Sequence, residues 1–297
     1  MLNIKIISVL ICGLFMSCSK DGDTLFIPEL PLFKSSLNFK GTNETLDIIT
    51  WNIENFPLEN ITQSYVLEII DSMNVDIIAL QEIKGANEFN NLLSILNDKN
   101  WVGFRSGNNL GSYDNNYQEL AYLINTNNID SYNNPYQILS NDDYYFAWRE
   151  PFVLDFYFNN NPIKLINVHY KCCDGYEDRR RAANQKLHNY VNPSESVIVV
   201  GDFNDLLIDA NNVFEIFLND NNYLFADLTI AVGSSDNWSY PSWPSHLDHI
   251  LVTKSLFDFI DNTQTLLLEH NSYTNYGIYK NNVSDHRPVG IQLLFNP

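Results

Sequence analysis

The chain has 297 residues, 45% of them hydrophobic and 13% aromatic, which is enough for one large globular domain or two small ones. Its formal net charge of -19, from 36 acidic and 17 basic residues, argues against a general electrostatic clamp for nucleic acid. An enzyme acting on phosphates stays open, because divalent cations bridge an acidic site to an anionic substrate.

The N-terminus has a short basic start followed by an apolar run over residues 6–16. This run is too short to span a membrane and is typical of a signal peptide. Ser17 before Cys18 resembles the cleavage site of bacterial lipoproteins, and the acidic stretch that follows resembles the export signal of Bacteroidetes lipoproteins. We therefore predict a signal peptide over residues 1–17, lipidation of Cys18, and an exported outer-membrane or cell-surface lipoprotein. A plain secretory signal is the alternative, and residues 18–45 are predicted to be a flexible tether.

From Leu46 onward the hydrophobic pattern is regular, and residues 46–297 are predicted to form one domain because no linker interrupts them. The predicted strands are 47–53, 75–81, 120–125, 152–158, 163–169, 197–201, 249–253 and 288–295. The predicted helices are 64–73, 86–97 and 179–191. The last of these helices is predicted to have an exposed basic start. Strands dominate the second half without regular alternation with helices. The pattern favours an α+β fold in which two packed β-sheets are flanked by helices, a four-layer sandwich.

Polar side chains follow several of these strands at the point where each strand ends. After the apolar strand 197–200, Gly201 permits a sharp turn that presents Asp202 and Asn204. The two side chains could hold a water molecule or a phosphate oxygen, or they could simply cap the strand as an Asx turn. Asp285 and His286, just before the last strand, could supply a metal ligand and a general acid or base, or form a polar loop.

The same arrangement recurs elsewhere in the chain. Glu82 ends one strand, Asn52 and His169 end two others, and Asp248 begins a further one. Each residue alone is ordinary; a solvent-facing glutamate at a strand end, for example, is common. Several polar ends on successive buried strands together indicate a site at one edge of a sheet sandwich.

The ordered set of these motifs resembles the endonuclease/exonuclease/phosphatase superfamily over the whole chain from Leu46. The motifs are Trp51-Asn52, Gln81-Glu82, His169, Gly201-Asp202-Phe203-Asn204, Leu247-Asp248-His249-Ile250 and Ser284-Asp285-His286. Two further segments are similar to elements of the deoxyribonuclease I branch, namely Tyr117-Gln118-Glu119 and Arg149-Glu150-Pro151. Taken alone, Tyr117 could be an ordinary surface aromatic, and Arg149 could form a surface ion pair.

The resemblance implies hydrolysis of a phosphodiester with Mg²⁺ or Mn²⁺, and Ca²⁺ is a further candidate. It implies that Glu82 and Asp285 bind the metal, with Asn52 and Asp202 nearby. It implies that the phosphate is contacted by Tyr117, Arg149 and Asn204. It also implies an acid and base pair of two histidines, His286 oriented by Asp248 and His169 oriented by Glu119. DNA is the expected substrate. Phospholipid or sugar-phosphate esters are the first alternative, and a non-catalytic binding protein on the same fold is the second. No motif indicates an obligate protein partner.

Cys172 and Cys173 are adjacent in sequence and precede a basic helix, a combination that resembles bacterial secreted members of the superfamily. No second cysteine pair is present to complete a structural zinc site. A vicinal disulfide would be strained, so two loop cysteines that can oxidise are the simpler interpretation.

Overall fold

Two mixed β-sheets form the centre of the computed structural model, which describes residues 37–109, 117–268 and 276–295. The strands are β1 (Thr45–Phe56), β2 (Ile77–Ile83), β3 (Trp101–Arg105), β4 (Glu119–Asn125), β5 (Ser131–Tyr132), β6 (Tyr136–Gln137), β7 (Phe152–Phe158), β8 (Asn161–His169), β9 (Val197–Asp202), β10 (Tyr223–Phe225), β11 (Asp248–Thr253), β12 (Ile260–Thr265) and β13 (Val289–Leu294). One sheet has the order β12-β13-β1-β2-β4-β3. The other has the order β10-β11-β9-β8-β7-β5, with β6 also paired to β7.

Helices cover the outer faces of both sheets. They are α1 (Thr62–Met73), α2 (Ala86–Asn97), α3 (Glu177–Tyr190), α4 (Glu215–Leu218), α5 (Leu228–Ala231) and α6 (Tyr276–Asn282). One apolar cluster lies between the sheets, and each of two others joins one sheet to its helices. The predicted four-layer α+β sandwich is therefore confirmed. None of the helices in the described ranges is both long and apolar enough to cross a membrane.

The amphipathic pattern explains why α1 and α2 lie where they do. Their buried residues recur at helical spacing, as in Val66, Ile69, Ile70 and Met73 of α1. A stripe of this kind must be covered by another apolar surface, and here it packs on the outer face of the sheet that contains β1 and β2.

The boundary of the predicted tether is wrong. Residues 37–45 belong to the domain, because Phe39 is buried in the core and Thr45 already begins β1. The Asn38 side chain also donates a hydrogen bond to the carbonyl oxygen of Thr265 at 3.1 Å. Any tether within residues 18–45 must end before Leu37. The predicted signal peptide and Cys18 lie outside the described residues.

The basic start of α3 is not exposed as predicted. Arg179 and Arg180 are buried, with exposures of 8% and 3%. The Arg179 guanidinium lies over the ring of Tyr144, 4.2 Å from its centroid, and Arg180 donates to Asp205 Oδ2 at 2.7 Å. Arg180 is therefore stabilised by an ion pair, and Arg179 by the Tyr144 ring and by donation of its Nε–H to the Tyr144 carbonyl oxygen at 2.6 Å.

Candidate active site

β-Bulges direct the polar ends of β1 and β2 toward the second sheet. The register between β1 and β2 shifts after Asn52, and Glu82 has a positive φ of 65°. A bulge bends a strand and changes where its side chains point. Here it brings Glu82 Oε1 to 3.2 Å from Asn52 Nδ2, and the Asn55 backbone N–H donates to Glu82 Oε2 at 3.0 Å.

Register on the second sheet places three predicted residues side by side. His169 at the end of β8 pairs with Asp202 on β9, and Asp202 pairs with Asp248 on β11. Gly201 makes this close pairing possible: its φ is +151°, and a Cβ there would lie 1.9 Å from the Val168 carbonyl oxygen. Only glycine fits this position without displacing β8.

The segment before β13 completes the site from the first sheet. The Ser284 hydroxyl donates to the carbonyl oxygen of Asn52 at 2.7 Å and accepts from the His286 backbone N–H at 3.0 Å. The Asp285 backbone N–H donates to Glu54 Oε2 at 2.9 Å. These bonds fix Asp285 and His286 beside Asn52.

Carboxylates crowd the centre of this arrangement. Asn52 Nδ2 bridges Glu82 Oε1 and Asp202 Oδ2, the latter at 3.0 Å. Burial and the charge of Asp285 raise the pKa of Glu54 to about 7, and burial raises the pKa of Asp202 to about 7 despite the opposing charge of His286. A divalent cation would offset this repulsion, and hard cations take oxygen ligands of this kind. The donor set therefore fits the predicted metal.

The two histidines differ in protonation. Burial, reinforced by the charge of Arg149, lowers the pKa of His169 well below its usual range. Burial also disfavours the charged form of His286, but the charges of Asp248 and Asp202 outweigh this and raise its pKa to about 10. Near neutral pH, His169 is a proton acceptor and His286 a proton donor. Their Nε2 atoms lie 3.5 and 3.8 Å from Asp202 Oδ2.

Asp202, Asp248 and His286 bring their ligand atoms close enough together to hold a metal ion. One contact argues against a cation at that group. Asp248 Oδ2 lies 2.7 Å from His286 Nδ1, so this carboxylate oxygen and this ring nitrogen already have each other as partners. Glu82 and Asp285, each partly exposed to the cleft, are better placed.

Arg149 is a half-buried cation that interacts electrostatically with Glu82 and Asp202. Its guanidinium donates to Gln118 Oε1 at 2.7 Å and to the carbonyl oxygens of His169 and Tyr170 at 3.3 and 3.0 Å. Asn204 Nδ2 donates to the same Tyr170 oxygen at 3.2 Å. Both Arg149 and Asn204 line the cleft, so the structure brings these two predicted phosphate contacts together.

Two predicted site residues, Glu119 and Tyr117, do not line the cleft that contains the two histidines. Glu119 does not orient His169 as predicted: its carboxylate forms an ion pair with Arg105. Among the described residues, the buried Nδ1 atom of His169 has no hydrogen-bond partner. Tyr117 is half-buried and close enough to interact electrostatically with Arg149, and its contact with phosphate stays a prediction.

One cleft of 810 Å³ is lined by most of the predicted site residues, namely Glu82, Arg149, His169, Asp202, Asn204, Asp285 and His286. Sequence reasoning missed several of its residues, including Glu54, Tyr240 and Trp243. The Tyr240 ring lies 4.8 Å from the His286 ring, centroid to centroid, and Trp243 is 79% exposed. The acidic residue two positions after Asn52 was a signal that could have identified Glu54. Tyr240 and Trp243 lie in a loop without a recognised motif.

A second cluster of possible ligands, Asp227, His246 and His249, lies away from the cleft lining. His249 Nδ1 and Nε2 contact Asp227 Oδ2 at 2.6 Å and the Asp205 carbonyl oxygen at 2.9 Å. His246 Nε2 contacts the same Asp227 oxygen at 3.1 Å, and its Nδ1 accepts from the Ser239 N–H. All four ring nitrogens are therefore occupied by protein groups, so the cluster is a closed internal network.

The fold and the paired histidines beside clustered carboxylates define the class of a metal-dependent phosphoester hydrolase. Residues 49–286 match the model of the Endonuclease/Exonuclease/phosphatase family, and the chain belongs to that family. A comparison with curated proteins gives no significant match.

Solved structures of low sequence identity share the fold. Humanized D. rerio TDP2 is 16% identical, with a TM-score of 0.63 over 86% of this chain and 100% of that chain. The human Nocturnin catalytic domain with bound sulfate is 18% identical, with a TM-score of 0.63 over 90% of this chain and 99% of that one. The 3′ phosphatase NExo from Neisseria, bound to a product DNA hairpin, is 17% identical, with a TM-score of 0.59 over 84% and 100%.

Proposed function

We propose that the protein hydrolyses phosphodiesters with Mg²⁺ or Mn²⁺ and that its substrate is DNA. The observation that carries the proposal is the pair of histidines beside Asp202 Oδ2, one of which is neutral, His169, and the other protonated, His286. Hydrolysis needs one group to accept a proton and another to donate one. The DNA hairpin product bound to the Neisseria enzyme supports the choice of substrate.

In this proposal His169 accepts the proton of the attacking water, and His286 donates its Nε2 proton to the leaving oxygen. Asp248 acts through His286, because its carboxylate holds the ring and favours the charged form. Arg149 and Asn204 orient the phosphate. Glu82 and Asp285, with Asp202, Asn52 and Glu54 beside them, would hold the divalent cation, which would supply positive charge for the phosphoryl oxygens.

The test is hydrolysis by the purified full-length protein of single-stranded DNA, duplex DNA and bis(p-nitrophenyl) phosphate. We expect EDTA to abolish turnover and Mg²⁺ or Mn²⁺ to restore it. Glu82→Gln keeps the shape of the side chain but removes its charge, so cation affinity measured by calorimetry should fall. Glu88→Gln, at an exposed glutamate nearby, is the matched control. Full activity after exhaustive chelation would rule out the mechanism.

A small phosphoester, such as a phospholipid headgroup or a sugar phosphate, is the second candidate substrate. It is favoured by the charge of the cleft, where eight carboxylate residues but only three lysines and arginines are among the described lining residues. A long polyanion is repelled more strongly by such a surface than a small ester is. Sphingomyelin and sugar-phosphate esters therefore belong in the same assay, and higher kcat/KM on these than on DNA would select this alternative.

The proposed location is the outer membrane or the cell surface, through lipid on Cys18. The support is the sequence alone: an apolar run ends at Ser17-Cys18 and an acidic segment follows. Several acyl chains together anchor a protein firmly, whereas one does so only marginally. Cys18→Ser should release the protein from membranes or block its processing. An unmodified N-terminus at another residue, found by mass spectrometry of a freely soluble protein, would contradict the anchor.

A further inference from the structure

Two adjacent cysteines lie at the edge of the catalytic cleft. Cys172 is half-buried, Cys173 is exposed, and both line the cleft that also contains His169 and Asp202. They follow β8 closely, so they sit only a few residues from the proposed base. The hydrolytic mechanism makes no use of either sulfur.

The backbone turns these two side chains toward each other. Neighbouring side chains of an extended chain point to opposite sides. Cys173, however, has a φ of +80°, a conformation that residues with a side chain seldom adopt. As a result the two Sγ atoms are 2.7 Å apart.

Arg180 holds this strained turn in place. Its buried guanidinium donates to the carbonyl oxygens of Lys171 and Cys173 at 2.9 and 2.8 Å, on either side of Cys172. The same guanidinium is fixed by Asp205 Oδ2 at 2.7 Å. A conformation that is determined from several sides can persist despite its local cost.

The two sulfurs have different roles in the contact. The Cys173 thiol donates to Cys172 Sγ, and Lys171 Nζ lies 3.5 Å from the same sulfur. The hydrogen bond to Cys172 raises the pKa of the Cys173 thiol and so disfavours its thiolate, which is the nucleophilic form of cysteine. Cys172 is therefore the sulfur that attacks first.

We propose that Cys172 and Cys173 form a reversible vicinal disulfide, and that closing it frees Lys171 to bind the anionic substrate. The oxidant is a low-molecular-weight disulfide. The Cys172 thiolate attacks it, which forms a mixed disulfide and releases one thiolate. Cys173 loses its proton to solvent and attacks Cys172 Sγ, which closes the ring and releases the second thiolate. Two cysteine thiols are oxidised and one external disulfide is reduced to two thiols.

The disulfide is expected to be reversible because the ring that it closes between two adjacent residues is small. Neighbouring Cα atoms are about 3.8 Å apart, less than the roughly 4.4–6.8 Å that most disulfides span. A disulfide formed across this short distance is strained, and strained disulfides are more readily reduced. The effect on substrate binding rests on the proposed function. In the disulfide, Cys172 Sγ is bonded to Cys173 and is a weaker partner for Lys171 Nζ, which is one of the few cations that line the cleft.

The experiment compares the full-length protein equilibrated with oxidised glutathione or with dithiothreitol at pH about 8, near the ordinary pKa of a thiol. Trypsin cleaves after Lys171 and Arg179, so one peptide contains both cysteines and no other. After oxidation this peptide should lack two hydrogens and take up no alkylating reagent. After reduction, both cysteines should be alkylated. Alkylatable thiols or a persistent glutathione adduct in the oxidised sample would overturn the disulfide.

Kinetics on bis(p-nitrophenyl) phosphate test the second part. Oxidation should lower KM roughly two- to tenfold, the equivalent of one polar contact, with little change in kcat. Lys171→Gln and the double change Cys172→Ser with Cys173→Ser should each remove the response to oxidant. Equal KM in both redox states would overturn the role of Lys171. Complete inactivity of the reduced, metal-loaded protein would instead refute the proposed hydrolysis and leave the peptide result standing.

Discussion

His169 and His286 both lie close to one carboxylate oxygen, Asp202 Oδ2, yet they differ in charge, and their surroundings explain the difference. Burial of the His169 ring and the positive charge of Arg149 both disfavour the imidazolium form of His169. The His286 ring has two carboxylates against it, and these favour the imidazolium. Two titratable groups whose environments separate their pKa values in this way are typical of an acid and base pair.

This difference can be measured by NMR titration of the metal-free protein. His286 should lose a proton only as the pH rises through about 10, whereas His169 should stay neutral well below its usual titration range. Asp248→Asn removes the charge that most favours protonated His286, so its pKa should fall. Coincident titration of His169 and His286 would contradict the assignment.

Measurements of turnover provide a second test of the roles of His169 and His286. His169→Ala and His286→Ala should each lower kcat on the order of 10²–10⁴, the usual contribution of a positioned acid or base. The double variant should lose much less than the product of the two effects, because both groups act in one transition state. Circular dichroism would verify the fold of each variant. Near-normal turnover of His286→Ala would remove it from the mechanism.

At the level of secondary structure, the buried strands could be predicted and the edge strands could not. The apolar runs of β7, β8 and β9 are covered on both faces, so hydrophobicity alone identifies them. β3 and β12 lie at the two edges of their sheet and are only partly buried. Edge strands carry polar residues, so the pattern that identifies a strand is weak there.

One missed strand also explains the incorrect partner of Glu119. Arg105 lies on β3, paired with Ala121 on the neighbouring strand β4, and this places its guanidinium beside the Glu119 carboxylate. Sequence motifs could locate Glu119 at the start of β4. They could not show a competing cation from a strand that had not been predicted. The strand ends that form the centre of the site were foreseeable, because each follows a recognisable buried strand, whereas side-chain pairing depends on edge strands and loops.

The buried network of Asp227 gives a prediction about the element that it supports, β11. Burial raises the pKa of Asp227, but the charge of His249 and the hydrogen bonds from His246 and His249 together outweigh burial, so the net direction is down. Burial lowers the pKa of His249, but the charge and hydrogen bond of Asp227, with the hydrogen bond to Asp205, outweigh it, so the net direction is up. The Asp227 carboxylate therefore contributes fully to stability above pH about 3.9, the ordinary pKa of an aspartate. This contribution is lost as the pH falls through the lowered pKa of Asp227. The His249 imidazolium contributes fully to stability below pH about 6.5, the ordinary pKa of a histidine. This contribution is lost as the pH rises through the raised pKa of His249. Between these two pH values the ion pair of Asp227 and His249 makes its full contribution to stability.

Unfolding by denaturant at pH about 5.5, inside that window, tests the pair. Asp227→Asn leaves a buried charge without its partner, so the free energy of unfolding should fall by about 3–5 kcal/mol. Asp220→Asn is the matched control, since Asp220 also contacts a histidine, but with side-chain exposures of 29% and 26%. That change should cost less than about 1 kcal/mol. Equal losses would show that burial of the Asp227 pair adds nothing.

At the scale of the whole molecule, the charge of -19 acts on any polyanionic substrate before it reaches the cleft. Repulsion between like charges slows their encounter and is screened by salt, with a Debye length of about 30 Å at 0.01 M and about 8 Å at 0.15 M. A basic nuclease loses affinity for DNA as salt rises, because its cations replace condensed counterions. For this protein the opposite trend is expected.

With saturating Mg²⁺, kcat/KM on single-stranded DNA should therefore rise with added KCl, roughly two- to tenfold between 0.01 and 0.15 M. Bis(p-nitrophenyl) phosphate carries one negative charge, so it should respond much less and serves as the control. The measurement is initial rate against salt at fixed pH and fixed free Mg²⁺. A steady fall on DNA alone would show that a local row of cations, rather than the net charge, governs the approach of substrate.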